Sequence, residues 1–362
     1  MAALKQASVL FSLSLSSPST PRQRYRLMIA CRILPWLALS LILLAGSAAG
    51  AELAIGPFQT GNRAPMTQIF GLPTPGHTLI LPPGEHAAEL ALDTAQNYTH
   101  NSSGGESAFF DGETYRFNLN LRRGLTPRLE VGLDLPYLMH RGGFLDGFIE
   151  GWHDTFGLPQ NGRDKASRDE LRYSYIRNGK QEVLVDDHAQ GIGDIRLNAA
   201  WQLARAEGDE PWGTALHAAL KLPTGDSDDL LGSGSTDLSL WLSGNRSWRQ
   251  GDSALALFGS FGLMGMTDGD VVEEQQRNLV GFAMLGGGWR PWSWIVLKLQ
   301  LDGHTSLYDS DLKELGDPAA ILTVGGDLAL GEKTALEIGV SEDIATETAS
   351  DVVFRLALRS RF

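Results

Sequence analysis

Apolar and charged side chains alternate along the last stretch of the chain, residues 351–362. The apolar residues occupy even positions and the arginines odd ones, with Val352, Phe354, Leu356, Leu358 and Phe362 set against Arg355, Arg359 and Arg361. A period of two is that of a β-strand, whose successive side chains point to opposite faces. An arginine facing lipid in a barrel costs about 2–4 kcal/mol at the bilayer midplane, whereas a watery interior accepts it. The pattern therefore predicts a membrane-crossing strand with its even residues in lipid.

The same alternation recurs in earlier segments of similar length. Residues 114–122 show it most clearly, with Tyr115 and Phe117 on one face and Arg116 and Asn118 on the other. We predict twelve strands, over 85–98, 114–122, 128–138, 194–203, 214–222, 237–245, 253–264, 278–289, 293–302, 319–330, 335–341 and 351–362. The seventh and eighth are small and apolar on both faces, so their orientation is not predicted. These strands define an all-β fold, a transmembrane antiparallel β-barrel.

The connectors between these strands are of two kinds. Five are short (123–127, 205–211, 246–252, 290–292 and 331–334), and six are longer and acidic (99–113, 139–193, 223–236, 265–277, 303–318 and 342–350). Outer-membrane barrels have short periplasmic turns, long extracellular loops and an even strand number. Five tryptophans lie at or beside the short turns, where an aromatic girdle is expected: Trp212, Trp248, Trp289, Trp292 and Trp294. This arrangement favours a barrel over a soluble β-sandwich of similar composition.

The longest connector, 139–193, contains two further patterns. Leu145, Phe148, Ile149, Trp152 and Phe156 have helical spacing, which predicts a short amphipathic helix in an extracellular loop. That helix is either a lid or capture site at the mouth, or a helix packed against neighbouring loops. Downstream, Asn178-Gly179 predicts a type I′ hairpin. If this hairpin crossed the membrane the barrel would have fourteen strands; its short, charged arms favour an extracellular hairpin and twelve.

The first 51 residues are predicted to be a targeting segment. After Met28 and Arg32 come an apolar run over 33–44 and small residues over 46–51, the pattern of a secretory signal. The mature chain then starts at Glu52, and residues 1–27 are an over-extended start if Met28 is the true one. Cys31 is the only cysteine, so the mature chain forms no disulfide and no thiolate site. Removing the segment's five basic residues takes the formal net charge from −13 to −18, which disfavours nucleic acid as a partner.

The segment 52–84, between this signal and the first strand, is rich in Gly and Pro and has no sustained period. It is either a plug folded into the barrel lumen or a periplasmic tail. Non-helical backbone at membrane depth is tolerated where it lines a cavity, so both alternatives are physically sound.

The inward faces of the predicted strands carry charges of both signs. The candidate lumen-lining residues are Arg116, Asn118, Arg122, Glu130, Asp134, Arg196, Lys221, Lys298, Asp302, Asp327, Glu337, Arg355 and Arg359. Such a wall is either a network of ion pairs that makes the barrel rigid or the lining of a narrow pore. Eight strands enclose just enough room for side chains, so twelve leave space for water or a plug.

Catalysis and metal binding find weak support in the sequence. His304 and Ser306 have the spacing of two residues on one face of a strand, but that face points inward or into a loop rather than toward lipid. His100 and Ser102 have the same spacing without a third member. Acidic groups at Asp226, Asp228 and Asp229 and at Asp268, Asp270, Glu273 and Glu274 match no complete calcium loop. We expect no enzyme activity, no metal and no cofactor.

Four stretches resemble one proteobacterial family, domain of unknown function 3187: GPFQTGNRAPMTQIFGLP (56–73), GGFLDGFIEGWHDTFGLPQNGR (142–163), QGIGDIRLNAAWQL (190–203) and ALKLPTGD (219–226). The resemblance implies a bacterial outer-membrane location and carries no activity or catalytic residue. GIGD and LPTGD are also similar, more loosely, to barrels that take up fatty acids and aromatic hydrocarbons. The terminal Phe362 resembles the signature by which assembly machinery recognises such barrels, although Ser360 departs from it.

We expect the protein to pass a small solute, including an amphipathic one, across the outer membrane. A structural or surface-interaction barrel without a conducting path is the alternative, and a lipid-active hydrolase is the second alternative. The expected partners are outer-membrane lipid, lipopolysaccharide and the barrel-assembly machinery, the last through the C-terminal strand. The oligomeric state is not predicted.

Overall fold

The computed structural model describes residues 53–143, 170–208, 210–251, 253–344 and 347–362. The predicted signal segment and the predicted helix at 145–156 lie outside these residues. The described strands are β1 (His86–Ser103), β2 (Glu106–Thr126), β3 (Leu129–Arg141), β4 (Arg172–Arg177), β5 (Lys180–Val185), β6 (Ala189–Ile192), β7 (Arg196–Ala206), β8 (Trp212–Lys221), β9 (Asp237–Gln250), β10 (Ser253–Met266), β11 (Leu279–Trp292), β12 (Ile295–His304), β13 (Ala319–Ala329), β14 (Thr334–Asp343) and β15 (Val352–Arg361). A 3₁₀ turn at Glu273–Gln275 and a one-turn helix, α1 (Lys313–Gly316), lie in loops. Across the described ranges, no helix is long and apolar enough to cross a membrane.

Twelve of these strands form a closed antiparallel barrel, which confirms the predicted fold class. In sheet order they are β1, β2, β3 and then β7 to β15. The terminal strand β15 closes the cylinder, because it pairs with β14 on one side and with β1 on the other, from Ala87 opposite Arg361 to Gln96 opposite Val352. Phe362 also exchanges backbone hydrogen bonds with His86 and stacks on its ring at 5.6 Å. The barrel therefore has no free edge.

The outward face is apolar along its length, as the alternation predicted. Leu197, Leu238, Leu299 and Leu356 are all exposed, while the charged residues beside them in sequence point inward. The five predicted girdle tryptophans are exposed at the short-turn end, and Trp292 stacks on Trp294 at 5.9 Å. In outer-membrane barrels the short turns are periplasmic and the long loops extracellular.

The sequence did not predict which side chains of β10 and β11 face the lumen. In the structure, a large aromatic side chain faces inward on one of these strands. Leu255, Leu257 and Leu285 point outward, so the even positions of both strands point inward. Phe258 is one of these inward residues, and a Cβ atom at Gly286 on the neighbouring strand would collide with its ring. The glycine makes room for the aromatic side chain, which is why β11 has no readable polar face.

The three remaining strands lie outside the barrel and correct part of the loop prediction. β4 and β5 form the predicted hairpin at Asn178-Gly179, where both residues have positive φ, and β6 pairs with the outer end of β3. The predicted connector 99–113 was wrong as a loop. β1 and β2 continue through it as paired strands that turn at Gly104-Gly105, and β4 pairs with this extension. The sequence does not show the extension because beyond the bilayer neither face has to be apolar.

Candidate functional site

The candidate site is the barrel lumen, where the inward side chains form a buried network of charges. Arg355 donates to Glu89 at 2.6 Å, to Asp93 at 2.9 Å and to Glu337 at 2.7 Å. Lys298 lies 2.6 Å from Glu337 and 3.2 Å from Asp327, and Arg359 lies 2.5 Å from Asp327. Because these charges are buried, each depends on its partners for stability.

A second group of buried charges joins the GIGD stretch (191–194) to the LPTGD stretch (222–226). Lys221 on β8 lies 2.6 Å from Asp194 and 3.3 Å from Asp237. The Asp194 carboxylate also accepts hydrogen bonds from the backbone N–H groups of Thr224, Gly225 and Ser233. It therefore fixes the loop between β8 and β9 to the barrel wall.

Nine of the thirteen predicted lumen residues are buried, and the other four, Asn118, Arg122, Asp302 and Arg359, are half-buried. Besides those already described, Arg122 pairs with Glu130 at 3.1 Å, and Asp302 accepts from the Gln300 amide at 2.9 Å. Asp134 accepts hydrogen bonds from Asn120 and Asn198, with Arg196 4.0 Å away. Whether any of them contacts a passing solute is untested and stays a prediction.

Residues 53–85, named here the N-terminal segment, contain no strand or helix and contact inward side chains around the barrel. At the periplasmic end, the Leu53 carbonyl accepts a hydrogen bond from Arg290 on β11. The chain then rises along β12, where Phe58 N–H donates to Gln300 and the Asn62 amide lies 3.0 Å from the His304 ring. This part of the chain is the rising limb.

The segment turns at 64–70 near the extracellular end and then descends. Tyr308, in an extracellular loop, donates to the Met66 carbonyl at 3.0 Å. On the way down, Gly71 N–H donates to Asp237 and the Trp241 indole donates to the Pro75 carbonyl. Leu81 N–H donates to Glu130 near the periplasmic end, just before β1 begins. This part is the descending limb.

Sequence reasoning missed two residues of the N-terminal segment that contact the charge network. Arg63 donates to Asp93 at 2.8 Å, so Asp93 is shared between the segment and Arg355 on the wall. Phe58 is fully buried, and the Lys298 ammonium lies 3.9 Å from its ring centroid. Arg63 and Phe58 lie in an aperiodic stretch, so the sequence gives no signal of these contacts.

The extracellular end is closed by loops that meet across the mouth, which we call the cap. Its apolar core joins the β4–β5 hairpin, three extracellular loops and the top of the N-terminal segment, through Tyr175, Leu230, Val271, Leu312 and Phe70 among others. Glu106 on the β2 extension accepts hydrogen bonds from Gln275 and Ser310, which belong to loops on the opposite side of the barrel. The cap and the N-terminal segment therefore share one hydrophobic core.

Two titrating groups of the cap are perturbed by this packing. Burial alone would raise the pKa of the Glu106 carboxyl, but hydrogen bonds from Ser310 and Gln275 outweigh it and the pKa lies below its ordinary value. Burial beside Glu106 raises the pKa of Tyr175 to about 12, and its hydroxyl donates to Gln275 at 2.7 Å. At neutral pH, Glu106 is therefore ionised and Tyr175 is a hydrogen-bond donor.

The two candidate histidines, His304 and His100, contact other groups of the chain. The two ring nitrogens of His304 face the Asn62 amide at 3.0 Å and the Thr305 carbonyl at 2.8 Å. His100 contacts the Phe109 ring edge-on at 5.4 Å. Over the part of the chain that the structure describes, no group of three or more His, Cys, Asp or Glu could hold a metal ion.

A closed barrel of twelve strands, apolar outside and charged inside, defines an outer-membrane β-barrel protein, and the predicted location in the bacterial outer membrane is confirmed. The profile of the family described as "protein of unknown function (DUF3187)" matches residues 33–362. The chain belongs to this family. No curated protein sequence matches it.

Solved structures share the fold at low sequence identity. The COG4313 outer membrane channel from Pseudomonas putida F1 has 16% identity and a TM-score of 0.50, over 80% of this chain and 99% of that one. The toluene transporter TbuX of Ralstonia pickettii has 13% identity and a TM-score of 0.34, over 87% and 96%. The KdgM porin in complex with oligogalacturonate has 7% identity and a TM-score of 0.40, over 76% and 99%. Only the first is similar enough to support the fold, and none of them determines what this chain carries.

Proposed function

We propose that this protein is an outer-membrane channel for small solutes whose lumen is closed at rest by the N-terminal segment. The observation that carries the proposal is the path of that segment, which rises along β12, turns beneath the cap and descends past β9. A twelve-stranded barrel needs something to fill its interior, and this segment supplies much of the filling. Opening then requires the segment to leave or shift.

The solute is expected to be small, and an amphipathic one is compatible with the lumen. Aromatic groups lie beside the charges: His217 stacks on Trp241 at 4.9 Å, and Phe282 meets Trp241 edge-on at 6.2 Å. Such a mixture of apolar and polar lining is typical of small-molecule sites. The COG4313 channel shares the fold, which is consistent with this class of function.

The alternative is a structural or surface-interaction barrel with no conducting path, which the ion pairs and the cap would also suit. The channel and the non-conducting barrel differ in whether the N-terminal segment can be displaced from the lumen. The segment's hydrogen bonds to the wall mostly join one backbone group to one side chain. Each has a net worth of about 0.5–1.5 kcal/mol where the side chain is neutral, and about 1.5–3 kcal/mol where it is charged, as at Arg290, Asp237 and Glu130. Separate bonds of this size can be broken in sequence, which favours the channel.

Conductance of the purified protein in planar bilayers tests the proposal. We expect the full chain to stay closed with rare openings, and deletion of 54–83 to give a larger and steadier conductance. If the deleted protein fails to fold, the double change Phe58→Ala and Arg63→Ala should raise the open fraction, because it removes the segment's two contacts to the charge network. Leu299→Ala, on the lipid face of β12, is the matched control and should conduct like the parent. Variants that fold and conduct no more than the full chain would overturn the proposal.

A further inference from the structure

A small polar cavity lies between the two limbs of the N-terminal segment and the barrel wall. Its volume is about 40 Å³, and among its lining residues are Thr60, Arg63, Gln68, Arg196, Asp302 and His304. A cavity of this size holds about three water molecules, the volume of a carboxylate of two or three carbons. It belongs to the lumen but is distinct from the ion pairs of Arg355.

Several buried polar groups at this cavity make no hydrogen bond among the described residues. They are the Thr60 hydroxyl, both polar atoms of the Gln68 amide and Nε of Arg196. Thr60 is 1% exposed, Gln68 6% and Arg196 8%. Buried polar groups in native proteins are nearly always hydrogen-bonded, so this group of orphans indicates that an occupant belongs here.

The cationic charge around the cavity is only partly balanced. Arg116 does not line the cavity, but Arg63 and Arg196 act on it electrostatically, as do the carboxylates of Asp93 and Asp134. It is 7% exposed and makes no hydrogen bond or ion pair within the described ranges. Arg63 shares its partner Asp93 with Arg355, and Arg196 approaches Asp134 only to 4.0 Å. An unpaired buried guanidinium is costly, and an anion beside it would remove that cost.

The chemistry of the lining selects the kind of anion. Planar guanidinium groups bind carboxylates through pairs of parallel hydrogen bonds, and the Gln68 amide and Thr60 hydroxyl can donate further bonds. Asp302, on the same cavity, repels a second negative charge but can accept a hydrogen bond from a hydroxyl group. We propose that this cavity of the lumen binds a small hydroxycarboxylate beside Arg63 and Arg196. As a statement about the transported solute, this rests on the proposed channel function.

The test is binding of lactate to the full-length protein in detergent, followed by tryptophan-fluorescence melting at constant ionic strength. Lactamide, which has the same shape without the charge, is the control ligand. We expect lactate but not lactamide to raise the melting temperature. Arg196→Gln should weaken lactate binding about tenfold or more, since it loses a charge-assisted hydrogen bond. Arg246→Gln removes an exposed arginine that pairs with Glu210, and should bind like the parent.

The melting curve without lactate identifies a variant that merely misfolds. Arg196→Gln should unfold as cooperatively as the parent without lactate and should gain less from lactate. Equal effects of lactate and lactamide, or Arg196→Gln and Arg246→Gln responding alike to lactate, would overturn the proposal. Lactate binding is measured without conductance, so the two proposals can fail separately. Lactate can fail to bind although the deletion opens the channel, or can bind although the deletion does not open it.

Discussion

Single residues of the lumen show how a charge can be stable inside this barrel. Arg355 is surrounded by Glu89, Asp93 and Glu337, so each of its nitrogens has a carboxylate partner. Arg116 has none among the described residues, although both arginines are predicted inward by the same alternation. The period of a strand gives the face on which a residue lies, but not which partners it meets there.

Arg355→Met tests the stabilising role of the buried network. The change leaves three carboxylates with fewer cations, and breaking a buried pair by removing one partner costs about 3–5 kcal/mol. We expect a corresponding fall in the free energy of unfolding in urea, measured from tryptophan fluorescence in detergent.

Arg246→Met is the control for Arg355→Met, because Arg246 and Glu210 form an exposed pair worth about 0–1 kcal/mol. A loss of stability at Arg355 no larger than that at Arg246 would show that the buried network does not stabilise the barrel.

At the scale of elements, alternation predicts strands well where one face meets lipid and poorly elsewhere. β12 is predicted correctly from Leu297, Lys298 and Leu299. Successive residues of this strand face hydrocarbon and the lumen in turn, so apolar and polar side chains have to alternate. The outer ends of β1 and β2, residues 99–103 and 106–113, are missed because beyond the bilayer neither face of a strand has to be apolar. The contacts of the N-terminal segment could not be predicted, since Arg63 meets Asp93 and Phe58 meets Gln300 through the closed fold and not through a local pattern.

The cap should loosen on acidification because of Glu106. Its folded-state pKa is lowered, so the stability it contributes is present above its unfolded pKa and is lost as the pH falls through the folded value. We expect the protection factors of amides in β4 and the β2 extension, which compare measured exchange with the intrinsic rate at the same pH, to fall below a pH of about 4.

Glu106→Gln provides the control for the acidification experiment, because the amide cannot titrate. Its protection factors in the same strands should already be low at neutral pH and change less on acidification. Equal pH dependence in the parent and in this variant would show that another group controls the cap.

At the scale of the whole molecule, the exposed apolar face is the feature that separates a membrane barrel from a soluble one. Leu257 on β10 is 57% exposed and points away from the lumen. If lipid covers it, Leu257→Arg should cost about 2–4 kcal/mol near the bilayer midplane and reduce the amount of folded barrel in outer-membrane fractions.

Leu184→Arg is the matched control for Leu257→Arg, because Leu184 is also exposed but lies on the β4–β5 hairpin outside the barrel. It should assemble like the parent. Equal yields of folded barrel from the two variants would mean that water, not lipid, covers Leu257.

The central claim is that the N-terminal segment lies inside the lumen, and cysteine labelling tests it most directly. A Cβ atom at Gly61 meets nothing within 4 Å, so Gly61→Cys should fold normally. Lys180→Cys, on the exposed hairpin, is the accessible control. In outer-membrane fragments, a polyethylene-glycol maleimide too large for the lumen should label the cysteine at 180 quickly and the cysteine at 61 only after denaturation. Equally fast labelling of both cysteines in the folded protein would contradict the account.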